Sequence, residues 1–355
     1  MQNFAKNYGF AIIVSIICLA VATVDGYFRG GGLLSAAFSA LTIAVLLGIL
    51  ELSLSFDNAV VNAGVLRNMD PKWQRRFLTW GILIAVFGMR FIFPILIVSI
   101  TAGLGFGEVV RLAFAEPAAY ASQLTAAEVP IYAFGGAFLL LVFLKYLMDP
   151  EKDVHWFAPL ERTLARIGKL DTIQVIITGT ALLLTVNYLV APGERLTALI
   201  AGFVGILIYL LVDALGNLFD PTDMAARAGA AGLTAFLYLE VLDASFSLDG
   251  VIGAFALTND IVIIASGLTI GAIFVRSLTV TMVKSGTLEA YRFLEHGAHY
   301  GIGALAIIML ISMSESVHIP EVLTGLIGAG FIVLAVVTSI LANKREAVSK
   351  PSARM

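Results

Sequence analysis

Long apolar runs separated by short polar segments make up most of the chain. A helix needs about 20 largely apolar residues to cross a bilayer, so the pattern predicts a transmembrane helix in each run. The ten candidate spans are residues 8–25, 34–60, 77–101, 129–148, 172–191, 194–212, 230–254, 259–283, 297–315 and 320–342. We therefore expect an all-α, polytopic transmembrane helical bundle of about ten spans. It forms one membrane domain, 1–342, followed by a polar tail, 343–355.

The composition supports this interpretation. The chain is 59% hydrophobic and only 13% charged, with a mean hydropathy of +0.94, whereas an average soluble domain is roughly 25% charged. A soluble globular protein is thereby excluded. The single Cys18 excludes an internal disulfide and a metal site built from several thiolates.

Two segments need separate interpretation. The N-terminal segment resembles a secretory signal peptide, because it combines Lys6, the apolar run 10–20 and Ala20-Val21-Ala22. We interpret the run as a first transmembrane helix, because another apolar segment follows almost at once. Residues 102–128 mix glycine and proline with charged residues, which predicts a long, partly helical loop on the non-cytoplasmic side.

The basic residues predict the orientation. With ten spans, both termini lie on one side of the membrane, and the other side has only Arg29, Arg111 and Arg195. The side of the termini has Lys6, Arg67, Lys72, Arg75, Arg76, Lys152, Arg162, Arg166, Lys169, Arg227, Lys284, Arg292, Lys344, Arg345, Lys350 and Arg354. Because basic loops remain in the cytoplasm, we expect a bacterial inner-membrane protein with both termini cytoplasmic.

An acidic ten-residue motif occurs twice, at 51–60 and at 243–252. The copies lie on the second and seventh spans, which run in opposite directions because they are five spans apart. Each is followed by a span that carries an arginine, Arg90 or Arg276. This arrangement predicts two inverted three-helix repeats, 34–148 and 230–315, as in many transporters. The spans within 172–212 connect the repeats, and 320–342 is a final span.

The two motifs present oxygen atoms at helical spacing. On the first, Glu51, Ser55 and Asn58 share one face; on the second, Asp243, Ser247 and Gly250 repeat this set, and Glu240 extends it by one turn. Ionisable groups at bilayer depth usually mark an ion or substrate path. Oxygen ligands suit hard cations such as Mn²⁺, Mg²⁺ and Ca²⁺. We therefore expect functional roles for Asp57, Asp249, Glu51 and Asp243.

A purely structural interpretation is ion pairing within the membrane. Arg90, Arg276 and Lys145 could neutralise three of the five carboxylates, which leaves two negative charges if all five are ionised. Such a surplus would attract a divalent cation. Small residues near Asp57 and Asp249 would also allow the helices to open there.

Other polar positions are open to two interpretations. Glu295, His296 and His299 lie at the cytoplasmic start of a span and would form either a metal entry site or a hydrogen-bonded interfacial cluster. Asp213 and Asn217 share a face and would line a vestibule. The charged segment 149–171 is typical of an amphipathic surface.

The motifs resemble the TerC (tellurium-resistance) family of integral membrane proteins. The resemblance covers Ser55-Phe56-Asp57-Asn58-Ala59-Val60, its partner 243–249, the arginine-bearing helix after each, and 136–150 with Lys145. It implies a LysE-like transporter fold and a role in manganese efflux or metal homeostasis. The implied metal-binding or proton-coupled positions are Glu51, Asp57, Asn58, Asp243 and Asp249. Gly250 departs from the family pattern, and the additional spans and the stretch 294–299 are similar to a longer TerC-related branch.

The sequence thus predicts a secondary transporter that exports a divalent metal cation, with Mn²⁺ as first candidate and protons as coupling ion. Ser55, Arg90, Lys145, Glu240, Ser247 and Arg276 would support the site. The alternatives are a membrane scaffold or metal-loading partner protein, an exporter of another small cation, and an intramembrane aspartyl protease, for which no Gly-x-Gly-Asp signature is present.

We expect no enzymatic activity, no prosthetic group and no nucleic-acid partner. Mn²⁺ or a similar cation would be the transported substrate, membrane lipid the surroundings, and a homo-oligomer is compatible with the sequence. No Walker-type phosphate-binding motif occurs, so the sequence predicts no direct coupling to ATP.

Overall fold

The computed structural model describes residues 2–170, 172–217, 224–314, 316–317 and 319–349, and this part of the chain is helical without strands. The helices are α1 (Gln2–Arg29), α2 (Leu34–Leu54), α3 (Phe56–Arg67), α4 (Pro71–Arg76), α5 (Phe93–Ala102), α6 (Phe106–Ala115), α7 (Pro117–Ala126), α8 (Glu128–Leu147), α9 (Ala158–Ile167), α10 (Ile173–Leu189), α11 (Arg195–Asn217), α12 (Met224–Leu257), α13 (Ile261–Ser285), α14 (Thr287–Ala290), α15 (Leu294–Ser312) and α16 (Glu321–Ser349). Two π-helical segments, Phe77–Gly81 and Ile84–Ile92, lie between α4 and α5.

A helical membrane bundle is confirmed. Every predicted apolar segment coincides with helix, and within the described ranges eight helices are long and apolar enough to cross a membrane. They include α1, α2, α8, α11, α13, α15, α16 and the stretch Ile84–Ala102. Helix α10 is apolar but shorter, and α12, which carries the second acidic motif, is not among the eight. The count of ten spans therefore stays a prediction.

The loops have the predicted character. Segment 102–128 contains α6 and α7 and is thus partly helical, and 149–171 contains the amphipathic α9. The predicted polar tail is described as far as Ser349, where it continues α16.

The helices of the two predicted repeats pack against each other. Helix α2 lies along α13, α8 lies along α15, and α12 contacts the π-helical segment Ile84–Ile92. The largest apolar core forms where α8, α11 and α15 meet, with Phe138, Leu141, Ile206 and Ile302 buried in it. This core holds the third helix of each repeat in a fixed position beside the acidic helices.

Close packing of α2 on α13 brings the first acidic motif into the protein interior. A Cβ atom added to Gly271 of α13 would lie 2.4 Å from the Cβ of Glu51, and one added to Gly267 would lie 2.4 Å from the Cβ of Leu47. Only residues without a side chain allow such a close approach. The Glu51 carboxylate is consequently buried between these two helices.

The first acidic helix is broken and the second is continuous. Ser55 separates α2 from α3 with φ −99° and ψ 18°, so Asp57 lies in the first turn of a new helix. Helix α12 continues through the equivalent residues 247–249 without interruption. The sequence allowed a break near both aspartates, and the structure places one only at the first.

Candidate functional site

Asp57 is a buried carboxylate that forms no ion pair within the described residues. Its Oδ1 accepts a hydrogen bond from the backbone N–H of Asn58 at 2.9 Å. Its Oδ2 faces two glycines, since Cβ atoms added to Gly301 of α15 and Gly328 of α16 would lie 3.2 and 3.3 Å from it. The oxygen therefore points into space that larger residues would fill.

That space is a small cavity of about 30 Å³. Its walls are Glu51, Leu54, Ser55, Asp57, Phe246, Gly250, Gly301, Leu305, Thr324, Gly325 and Gly328. This volume suits one or two water molecules, or a cation of similar size. The cavity thus combines carboxylate and hydroxyl oxygens at the helix break with glycine walls on the opposite side.

Glu51 is paired with Arg90. The Arg90 Nη2 donates to Glu51 Oε1 in a buried ion pair, and Nη1 donates to the carbonyl of Ala85 at 2.6 Å. Arg90 belongs to the π-helical segment Ile84–Ile92, and π-bulges frequently occur at functional sites. Ser55 Oγ lies 3.4 Å from the same Glu51 oxygen.

The second motif has its own cation. Arg276 Nη2 lies 3.5 Å from Glu240 Oε1 and 3.8 Å from Asp243 Oδ2. It also donates to the carbonyl of Gly81 at 3.1 Å, and its guanidinium lies 3.8 Å from the centre of the Phe77 ring. Arg276 is therefore fixed on several sides, which supports the sequence interpretation that it shapes the site by ion pairing.

One contact recurs in both motifs. Asn58 Nδ2 donates to Asp243 Oδ1 at 2.9 Å. In the aligned copies Asn58 corresponds to Gly250 and Asp243 to Glu51, and a Cβ atom on Gly250 would lie 2.7 Å from Glu51 Oε2. Gly250 has no side chain, and the carboxylate of Glu51, which is one methylene longer than Asp243, lies beside it.

The remaining predicted residues lie in different places. Ser247 is buried, and its hydroxyl has no hydrogen-bond partner in the described part of the chain. Asp249 lies on α12, and its side chain falls outside the described residues. Lys145 does not join the carboxylates, because it lies in the last turn of α8 and is exposed in a different cavity.

Asn62 was missed by the sequence analysis. It is fully buried on α3, and neither of its amide atoms has a hydrogen-bond partner among the described residues. Its spacing of four residues from Asn58, within an apolar helix, was the signal that could have indicated it. Within the same residues, no three Asp, Glu, His or Cys side chains form a ready-made metal cluster.

Two larger cavities lie at the end of the bundle that carries the basic loops. They measure about 750 and 550 Å³, and they share Tyr146, Ala231, Ala235 and His299. The larger is lined by Lys145, Asp149, Glu151 and Asp213 among others, and the smaller by Asp70 and Glu295. Asp213 thus lines a cavity, and its role in a vestibule stays a prediction; the side chain of Asn217 lies outside the described residues.

The two histidines differ in their surroundings. His299 lines both cavities, and its Nδ1 lies 2.8 Å from the carbonyl of Glu295. His296 instead lies 2.8 Å from the carbonyl of Val154 and 3.6 Å from the carboxylate of Glu161. His296 thus fits the predicted hydrogen-bonded interfacial cluster. Glu295 and His299 instead line the smaller cavity.

The family model described as "Protein of unknown function (DUF475)" matches residues 56–346. The chain belongs to the DUF475 family. The matched region begins at α3 and includes Asp57, Asn58, both arginines and the second acidic motif. No curated protein and no solved structure matches the chain. The DUF475 match supplies no function for the chain.

We expect Gly250→Ala to destabilise the protein. A methyl group at this position would meet Glu51 Oε2 at 2.7 Å, and Arg90 prevents that carboxylate from moving away. Overpacking of this kind costs about 1–3 kcal/mol. Thermal unfolding in detergent measures the effect.

Gly179→Ala is the matched control, because no atom lies within 4 Å of its added Cβ and alanine favours a helix by roughly 1 kcal/mol. Equal melting temperatures for the two variants would contradict the contact between Gly250 and Glu51.

Glu161 anchors α9 to the bundle. Its fully buried carboxylate lies 2.9 Å from Lys152 Nζ and accepts hydrogen bonds from the Tyr300 hydroxyl at 3.1 Å and from the backbone N–H of Phe157 at 3.0 Å. Burial alone would raise the pKa of Glu161, but Lys152 and the backbone N–H outweigh it and lower the pKa below the ordinary 4.5.

This lowered pKa predicts acid sensitivity of α9. The Glu161 contribution is complete above pH 4.5, the unfolded value, and is lost as the pH falls through the lower folded pKa. We expect hydrogen exchange of the α9 amides to accelerate over that range. Glu161→Gln should exchange fast already at neutral pH, because it leaves Lys152 without its carboxylate. Identical exchange in wild type and variant would refute this anchoring role.

Proposed function

We propose that the protein is a secondary transporter that exports a small divalent cation, with Mn²⁺ the first to test, through the Asp57 cavity. The carrying observation is the buried carboxylate of Asp57, which has no ion pair among the described residues, lies at a helix break and faces a cavity of water size. An isolated buried charge is costly. A bound cation or a proton would offset this cost. Release of the cation to one side of the membrane, with uptake of a proton there and its release to the other side, would be transport.

The charges of the site support this proposal. Within the described residues, the buried carboxylates at and beside the two acidic motifs are Glu51, Asp57, Glu240 and Asp243, and they face two buried arginines. Arg90 pairs with Glu51, and Arg276 lies near Glu240 and Asp243. Of these four carboxylates, Asp57 alone contacts neither arginine. A surplus of carboxylate oxygens favours a hard divalent cation over an anion or a neutral substrate.

An inverted repeat is the simplest account of the packing. Each acidic helix contacts the arginine-bearing helix of the other unit, since α2 lies along α13 and α12 contacts the segment Ile84–Ile92. The equivalent contacts of Asn58 with Asp243 and of Gly250 with Glu51 agree with a pseudo-two-fold axis. We propose that the units rock about this axis and expose the Asp57 cavity alternately to either side.

The two larger cavities, which share Tyr146 and His299, form a vestibule that we propose as the entrance for the cation. Helix α3 begins beside Asp57 and lines the smaller cavity with Val61, Gly64 and Val65. Since a helix rises 1.5 Å per residue, Val61 lies only about 6 Å along the axis from Asp57. Because the basic loops mark this end of the bundle, we propose that it faces the cytoplasm and admits the cation before export.

The resemblance to TerC proteins supports the same proposal, because Ser55, Asp57 and Phe246 of the two resembling motifs line the cavity. A proton would be taken up by the vacated carboxylate from the opposite side, which makes the proton gradient the natural driving force. Both termini would lie in the cytoplasm, and the membrane would be a bacterial inner membrane.

The purified protein in proteoliposomes that enclose a pH dye tests the proposal. Addition of Mn²⁺, Mg²⁺ or Ca²⁺ should move protons in the opposite direction for at least one cation, compared with empty liposomes. Silence with all three cations, from protein that is monodisperse and unfolds cooperatively, would reject the exporter and favour the scaffold or metal-loading alternative.

A further inference from the structure

Helix α9 has two exposed stripes of different character. The first stripe is apolar and contains Leu160 and Ile167 on the helix, with Phe157 before it and Leu170 after it; each of these residues is at least 41% exposed. Arg162 and Arg166, spaced i and i+4, form a second stripe, and Lys169 follows them in the turn after the helix; all three are exposed. The acidic residue of the helix, Glu161, is buried on the third side. The exposed surface of α9 is therefore apolar and basic.

The apolar stripe adjoins the surface that faces lipid. Leu170 precedes α10, whose Ile176, Leu183 and Leu184 are exposed. Exposed aliphatic residues on an apolar bundle helix contact the acyl chains of the bilayer. The stripe on α9 thus continues this surface at the end of the bundle where the basic loops lie.

Helix α9 is held in place rather than tethered loosely. Glu161 connects it to α15 through Tyr300 and to the preceding segment through Lys152. The segments on both sides of α9 form part of the larger cavity, whose lining includes Met148 and Asp149 before the helix and Gly168 after it. A ligand on the outer face of α9 would therefore act on one wall of the vestibule.

We propose that α9 lies in the headgroup layer of the membrane and binds anionic phospholipid. Phe157, Leu160 and Ile167 enter the upper acyl region, and Arg162, Arg166 and Lys169 bind the phosphate groups. Charge complementarity selects the lipid, because three basic side chains face outward and the acidic side chain of the helix faces inward. This inference does not depend on transport activity or on the identity of the cation.

Spin labelling of the full chain in nanodiscs tests the proposal. The single native cysteine is changed by Cys18→Ala, and a nitroxide is attached to Leu160→Cys. With phosphatidylglycerol present, the label at 160 should collide with oxygen more than with a water-soluble nickel chelate. In phosphatidylcholine alone it should become more accessible to the chelate. A label at 160 that favours the chelate in both lipids overturns the proposal.

A charge-neutralised variant tests the headgroup contacts. Arg162→Gln/Arg166→Gln/Lys169→Gln should lower the affinity for phosphatidylglycerol by roughly a hundredfold, since each basic residue near the surface contributes about fivefold. Lys72→Gln/Lys344→Gln/Arg345→Gln removes the same charge from exposed positions elsewhere and should leave the depth of label 160 unchanged. Equal affinity losses in both variants, or equal competition by soluble glycerol phosphate, would overturn specific lipid binding by α9.

Discussion

Asp57→Asn is expected to abolish cation uptake while the protein stays folded. The substitution keeps the size of the side chain and the hydrogen bond from the Asn58 backbone, but it removes the negative charge that faces the cavity. Loss of groups that merely support a metal ligand costs 10–100-fold in affinity, so loss of the ligand itself should reduce the uptake rate by more than about a hundredfold. Initial rates in proteoliposomes measure this effect.

The stability of the Asp57→Asn variant should not fall together with its uptake rate. Asp57 forms no ion pair within the described residues, and removal of an uncompensated buried charge leaves stability unchanged or raises it. Glu108→Gln is the control, because Glu108 is exposed on α6 and lines none of the three cavities. Wild-type uptake by Asp57→Asn would remove Asp57 from the transport path, and a large fall of its melting temperature would contradict an uncompensated charge at this position.

Arg90→Met is expected to destabilise the protein by about 3–5 kcal/mol, because it leaves the Glu51 carboxylate buried without its cation. The double variant Glu51→Gln/Arg90→Met removes both charges and should recover most of this loss. A double-mutant cycle on the free energy of unfolding isolates the interaction between the two residues.

The same cycle separates structure from transport. The recovered double variant should still transport poorly, because Glu51 forms part of the cavity wall. If Arg90→Met costs less than about 1 kcal/mol, or if the double variant is no more stable than Arg90→Met, the buried pair does not hold the site together.

The apolar segments could be predicted from the sequence because a bilayer demands about 20 apolar residues per helix. The same argument indicated that carboxylates within these segments were functional, and the structure brings Glu51, Asp57 and Asn58 close to α12. Intramembrane charge is so costly that its position along the chain is already informative.

The helix break could not be predicted from local sequence. Ser55 and Ser247 occupy equivalent positions in similar motifs, yet the chain breaks at Ser55 and continues as helix through Ser247. The two motifs share both serines and the aspartate but differ around them, so the serine alone does not determine where the helix breaks. Gly301 and Gly328, which make room beside Asp57, are distant in the sequence.

The ion pairs also depend on distant contacts. Lys145 was grouped with the arginines because all three lie in apolar segments, but α8 ends two residues later and places Lys145 in the vestibule. Glu161 lay in a segment that appeared to be only a charged surface. Its partner Tyr300 is 139 residues away, so its burial follows from the packing of α9 on α15.

The accumulation of radiolabelled Mn²⁺ by inverted membrane vesicles, with and without an imposed proton gradient, tests the central claim most directly. Wild-type vesicles should accumulate Mn²⁺ only while the gradient is present, and vesicles with an equal amount of folded Asp57→Asn protein should not exceed the empty control. Equal accumulation by wild type and Asp57→Asn would contradict export through this cavity.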